Sequence, residues 1–174
     1  MSNKSRSQKS VKTRKETIPA VRMLVPILLG SDKDLGWAQK ITQELDKWHI
    51  PHKIQVVSAH KVPEILIDLL QKYNQFKGLL CYITIAGRSN GLSGVTAGST
   101  VHPVIACPPF ADKDDMFTNI NSTLQMPSDV PVLTVLDPAN AALCIVRIFA
   151  LSNPEMQKRY AAHLKEVKAS FIAL

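Results

Sequence analysis

No apolar run in this chain is long enough to cross a bilayer: residues 23–29 (MLVPILL) fall far short of the about 20 residues a spanning helix needs. No apolar segment follows Met1 either, so export is not expected and a cytoplasmic location is. Cysteine is scarce and odd in number. Cys81, Cys107 and Cys144 form no CxxC pair, which argues against a disulfide scaffold and a zinc site and for reduced thiols, buried at Cys81 and Cys107. Aromatic residues make up 6% of the chain, and the loops hold no obvious pair to sandwich a flavin ring. No GxGxxG follows the first apolar run, which removes a dinucleotide fingerprint. No cofactor and no metal ion are expected.

Acidic residues are in the minority, 14 against 21 Lys and Arg, for a net charge of +7. The excess is local. Residues 1–22 carry Lys4, Arg6, Lys9, Lys12, Arg14, Lys15 and Arg22 against Glu16, seven minus one, or +6. The remaining body stands at +1, too near neutral for a nucleic-acid binder. The Ser/Lys/Arg-rich segment 1–22 has few apolar residues and is expected to be a disordered tail. A nucleic-acid arm and a plain solvated extension both fit it, the second better. Residues 23–174 then form one domain, long enough to bury a core without staples.

What remains alternates. Val-, Ile- and Leu-rich runs at 23–29, 54–57, 79–86, 103–107 and 130–136 mostly lack a period of two, as parallel strands covered on both faces do. Between them apolar residues recur at helical steps: Leu35, Ala38, Ile41, Leu45 and Trp48, then Ile65, Leu66, Leu69, Leu70 and Tyr73. Further helices are predicted over 90–99, which is Gly-rich, 113–124, 137–151 and 154–171. The stretch DPANAALCIVRIFAL at 137–151 is apolar nearly all round and needs burial on several sides. The pattern predicts an α/β fold: a three-layer, doubly wound, flavodoxin-like parallel sheet of about five strands, with an extra C-terminal helix. That helix has no sixth strand to cover, and a second copy of the chain is its natural partner.

In such a sheet ligands bind beyond the carboxyl ends of the strands. Gly30-Ser31-Asp32-Lys33-Asp34 follows the first run; it suits an anion or a ribose at a helix start, or is a plain cap made by Ser31 or Asp32. Ser58-Ala59-His60-Lys61 follows the second, with Pro63 opening a helix. His60 suits proton transfer near neutral pH and Lys61 suits a phosphate; a solvated surface loop is the plainer alternative. AGRSNGLSG at 86–94 offers backbone N–H donors and the Arg88 guanidinium to a phosphate or carboxylate, or is a flexible turn. Cys107-Pro108-Pro109 ends the fourth run, as a pocket wall or as a strand stop.

Taken together, GSDKDLG at 30–36, SAHK at 58–61, AGRSNGLSG at 86–94, PVIACPP at 103–109, LQMPS at 124–128 and NAALCIVRIFAL at 140–151 carry a resemblance. In order and spacing, over about residues 23–165, they resemble the PurE family of phosphoribosylaminoimidazole carboxylases. That family has two classes. One is a mutase that moves a carboxylate from an exocyclic nitrogen to a ring carbon. The other carboxylates 5-aminoimidazole ribonucleotide (AIR) directly with carbon dioxide. The AGRSN and CPP stretches are similar to the second class, and Gly91 stands where the mutase class has another histidine.

The resemblance implies a carboxy-lyase of purine biosynthesis, with His60 as general acid/base. It implies Ser31 and Asp34 at the ribose and phosphate, and Ser58 at the phosphate or ribose end. Lys61 and Arg88 would be a cationic clamp, and Gly87 and Ser89 would line the carboxylate pocket, with Asn90 a further candidate. No metal, biotin or ATP is implied. A homo-oligomer is, an octamer or else a tetramer, with active sites between subunits. Three positions depart from the family's pattern: Lys33 where serine is frequent, Gln125 where the second class has arginine and the mutase class often glutamine, and Asn119 near an aspartate of the second class. The mutase class is one rival reading, and a non-catalytic nucleotide-binding relative is another. His60 argues against the non-catalytic one, because binding alone needs no acid/base.

Overall fold

Residues 21–172 are described by a computed structural model; residues 1–20 of the basic tail lie outside the described residues. The most apolar runs become the central strands. β1 (Met23–Leu29) is buried from Val25 onward. It pairs in parallel with β2 (His52–Val56), Val25 opposite His52 through Leu29 opposite Val56. The predicted 79–86 run is split in two. β3 (Leu79–Leu80) pairs with the start of β1, and β4 (Tyr82–Ile85), buried throughout, pairs with its end. Between them the Cys81 N–H reaches the Leu24 carbonyl at a long 3.4 Å. β5 (Val104–Ala106) and β6 (Leu133–Thr134) extend the sheet beyond β4. The order β2-β1-β4-β5-β6, with β3 also on β1, is the doubly wound parallel sheet the sequence predicts.

The edges differ from the expectation of strands covered on both faces. Val56 of β2 and Leu133 of β6 are 52% and 49% exposed. β6 is also much shorter than the 130–136 run. Pro131 has no N–H to give to a ladder, and pairing starts only at Leu133.

Helices cover both faces. α1 (Leu35–Lys47) and α5 (Pro138–Ala150) lie on one: Ala38, Ile41 and Leu45 join Ala142, Ile145 and Phe149 over Ile27, Leu29, Ile83 and Ile85. α2 (Pro63–Asn74) and α3 (Gly91–Gly98) lie on the other, with Leu66, Leu70 and Leu92 over Leu28, Tyr82 and Val104. α4 (Lys113–Leu124) is held by polar contacts to the segments after β4 and β5. α5 buries one side, while Leu143, Cys144 and Ile148 stay half-buried. α6 (Pro154–Ile172) is the extra C-terminal helix. Its first half is clamped to the end of α1: Tyr160 stacks 5.6 Å from Trp48, and the Arg159 guanidinium lies 5.4 Å over the same indole. Arg159 also donates to the Lys47 and Trp48 carbonyls. None of the described helices is long and apolar enough to cross a membrane.

All three cysteines are free, with Cys81 and Cys107 buried and Cys144 half-buried. Burial pushes the Cys107 thiol up to about 11 and the Cys81 thiol further, so both stay protonated at neutral pH. Phe149, 1% exposed, anchors α5 in the larger core. Phe149→Ala is expected to lower unfolding stability by about 3–5 kcal/mol in urea denaturation. A loss under about 1 kcal/mol would mean that the core collapses around the cavity.

Candidate active site

Beyond Leu29 and Ile85, the Gly30 N–H still reaches the Ile85 carbonyl at 2.9 Å, and there the segments after β1 and β4 part. The space between them is a cleft of about 650 Å³, the size of a small-molecule site. All eight residues singled out in the sequence line it: Ser31, Asp34, Ser58, His60, Lys61, Gly87, Arg88 and Ser89. So do residues the sequence reading did not place there: Trp37, Phe110 and Asp115. Lys33, Asn119 and Gly91 line it too, and Pro109 forms part of its wall. Gln125 ends α4 and Asn90 is buried behind the loop, and neither lines the cleft.

Each loop has a local reason for its shape. After β1, Ser31 caps a 3-10 turn (Asp32–Asp34), its Oγ accepting from the Lys33 N–H at 3.2 Å. Capping and facing the cleft are thus compatible roles for one serine. After β2, the Val62 N–H closes a turn onto the Ser58 carbonyl at 3.0 Å, and Pro63 starts α2. His60 and Lys61 stand exposed on that turn. After β4, Arg88 adopts a left-handed backbone with φ 57°, a conformation that costs a residue with a Cβ about 1–2 kcal/mol. Its N–H donates to Asn119 Oδ1 at 2.7 Å. Asn90 caps α3, accepting from the Ser93 N–H at 3.2 Å. After β5, Trp37 Nε1 donates to Cys107 Sγ at 3.3 Å and its ring meets Phe110 edge-on at 4.9 Å.

The cleft therefore carries three kinds of chemistry. Lys33, Lys61 and Arg88 supply cations for an anionic ligand, opposed by Asp34 and Asp115. The Arg88 guanidinium sits 3.8 Å from the half-buried Asp115 carboxylate, a long pair with an exposed cation and so of small energetic worth. His60 supplies the one imidazole lining the cleft. It packs on Gly91: a Cβ there would stand 2.7 Å from His60 Nε2 and 2.9 Å from Cε1. Trp37, Pro109 and Phe110 supply an apolar wall. Trp37 lies three residues after Asp34, and Asp115 and Asn119 are four apart, so each pair shares a helix face, but only the docked helices show that these faces meet the cleft. Among the described residues, no three His, Cys, Asp or Glu side chains gather closely enough to hold a metal ion.

Asp34 titrates above its ordinary 3.8, chiefly because burial strips its carboxyl of water, and then because Asp115 and Asp32 stand near it. Its ionised form is therefore less favourable in the folded chain than in the unfolded one. The sign follows: the associated stability is present below 3.8 and is lost as pH rises through the elevated value. Asp34→Asn is expected to raise the melting temperature at pH 7, with the gain disappearing at about pH 3. A lower melting temperature at pH 7 would show that the carboxylate is a net stabiliser.

Comparison with known proteins agrees with this arrangement. The family described as AIR carboxylase matches residues 24–170. The phosphoribosylaminoimidazole carboxylase of Treponema denticola is 41% identical over 145 residues, covering 83% of this chain and 91% of that protein. An N5-carboxyaminoimidazole ribonucleotide mutase of Pyrococcus horikoshii is 35% identical over 147 residues, covering 83% of this chain and 82% of its own. The crystal structure of Treponema denticola PurE matches the fold with a TM-score of 0.82 at 40% identity, over 87% of this chain and 96% of that one. The doubly wound sheet, the strand-end cleft and these matches place the chain in the AIR carboxylase family, the PurE family of purine biosynthesis.

Proposed function

We propose that the chain carboxylates AIR directly with carbon dioxide, giving 4-carboxyaminoimidazole ribonucleotide (CAIR), with His60 as proton carrier. The observation that carries this reading is the packing of His60 against Gly91 inside the cleft. The mutase class has a second histidine at position 91. Here the His60 ring occupies the space a side chain at 91 would need. His60 is then the imidazole among the described residues that lines the cleft, and direct carboxylation calls for one acid/base group.

The ring carbon of AIR, an enamine carbon, attacks carbon dioxide. A C–C bond forms, one C=O electron pair moves to oxygen, and the carbon briefly holds both a hydrogen and a carboxylate. His60 takes that proton, the C–H pair restores aromaticity, and the proton leaves to solvent. Ser31, Asp34 and Ser58 would hold the ribose and phosphate, with Lys61 and Arg88 as the clamp. Gly87 and Ser89 would border the carboxylate. The apolar wall would exclude water from a weakly bound gas. Three unpaired cysteines suit this enzyme to the reducing cytoplasm.

The mutase is the second reading, favoured by the Pyrococcus horikoshii relative. An assay on AIR with bicarbonate, run beside the nitrogen-carboxylated isomer, separates the two. Turnover of AIR that rises with dissolved carbon dioxide is expected; turnover of the isomer alone would make the chain a mutase. His60→Asn should still bind nucleotide and lose about 100-fold or more in kcat, the weight of a general acid/base. An active His60→Asn enzyme would remove the role.

The enzyme would act as a homo-oligomer, an octamer or a tetramer. Beyond its clamp to Trp48, α6 carries Leu164, Val167, Phe171 and Ile172 exposed, 41%, 41%, 75% and 84%. Leu164, Val167 and Phe171 recur at steps of three and four along one side, with Ile172 next to the last, a stripe that a partner copy would cover. Sedimentation equilibrium should give a multiple of the 19.2 kDa chain. A monomer would overturn this assembly.

A further inference from the structure

We propose that Asn119 is a positioning residue, whose side-chain amide bridges two loops of the cleft and fixes the backbone from which Arg88 reaches its ligand. Its link to turnover rests on the function proposed above; its link to the loop does not. Asn119 is 3% exposed on the inner face of α4. Its Oδ1 accepts from the Arg88 N–H at 2.7 Å, and its Nδ2 donates to the Pro109 carbonyl at 2.7 Å. One planar group thus ties the loop after β4 to the wall after β5. Gly87 leaves room for it: a Cβ at 87 would come within 3.0–3.1 Å of all three terminal atoms of the amide. Arg88 is the residue that needs holding, because its left-handed backbone, φ 57°, is unfavourable for any side chain larger than glycine.

The same helix face completes the grip. Ser122 Oγ accepts from the Asn90 N–H at 2.6 Å, and Thr123 Oγ1 accepts from Asn90 Nδ2 at 3.0 Å while donating to the Asn119 carbonyl at 2.8 Å. Residues at steps of three and four on α4 therefore engage Arg88 and Asn90 in turn. The exposed Ser89 and the Arg88 guanidinium are presented from a braced backbone, not from a loose turn.

The bridge needs one donor and one acceptor on the same side chain. An amide provides both at any pH. A carboxylate at 119 provides two acceptors, and one would face the Pro109 carbonyl at 2.7 Å unless it kept a proton. The family resemblance puts an aspartate near this position; the asparagine frees the bridge from titration. The charged groups around it are Arg88 from its own loop, Asp115 one turn earlier on α4, and Asp34 and His60 across the cleft.

Asn119→Asp tests this. The bridge should survive in acid, where the new carboxyl is protonated, and fail as pH rises. KM should climb by about tenfold or more over that rise, the factor for one misplaced charged contact, while the wild-type KM shows no such step. Compared with wild type at the same pH, kcat should change less than KM does, because His60 sits on a different loop and only Ser89 and Gly87 share the braced one. A fall in kcat with KM unchanged would overturn the positioning role. A second readout needs no turnover and starts from the wild-type chain. In the wild-type chain the Arg88 N–H should exchange with deuterium more slowly than that of the exposed Ser89. In Asn119→Asp it should speed up with pH beyond the intrinsic trend. Equal exchange at Arg88 and Ser89 in the wild type would overturn the bridge whatever the protein catalyses. Slow exchange at Arg88 with no turnover of AIR would leave the bridge standing and sink the proposed reaction.

Discussion

The last hydrogen bond between the two central segments, Gly30 N–H to the Ile85 carbonyl, sets where the cleft opens. Up to that rung the chain is governed by parallel pairing and apolar packing. Past it the backbone groups of the two segments have no strand partners, and the loops diverge toward helices on opposite faces. A cleft at this point is a consequence of the winding, and its chemistry depends on which residues stand within a few positions of the rung. Here those are Ser31, Gly87 and Arg88, with Ser58 and His60 brought alongside by β2.

Stability and function are divided in space. The cores under α1 and α5 and under α2 and α3 are apolar and fully buried, and they carry the fold. The cleft collects what a stability-optimised surface would avoid. Arg88 has an unfavourable backbone, Asp34 is partly desolvated beside two other carboxylates, and the apolar Phe110 lies at the cleft wall. A strained backbone persists only where surrounding structure over-determines it, and for Arg88 that structure is α4.

How far the sequence foretold this depends on which force acts at each residue. The central strands were legible because burial on both faces leaves unbroken apolar runs, as in Tyr82–Ile85. The sheet edges were not, because Val56 and Leu133 look like core residues in sequence while being half exposed. Pro131 marked where pairing would stop, but composition alone did not weigh its missing N–H against five apolar neighbours. The loop residues of the cleft were legible because a polar group directly after an apolar run stands at a strand's end. Trp37, Asp115 and Asn119 belong to helices, where a cleft-facing side chain looks like any amphipathic position until the helix is docked. Asn119 stood out in the sequence as a departure from a resemblance. Only its two partners, Arg88 and Pro109, give that departure a physical meaning.

The two tryptophans divide the molecule between them. Trp37 lies on the cleft, its indole N–H on the Cys107 sulfur and its ring against Phe110. Trp48 lies under α6, between Arg159, Tyr160 and His163. The first indole therefore senses the polarity of the cleft, and the second senses the seating of α6 on α1. The chain thus carries two built-in optical channels, one at the cleft and one at the terminal helix, and replacing either indole by phenylalanine leaves the other to be followed alone.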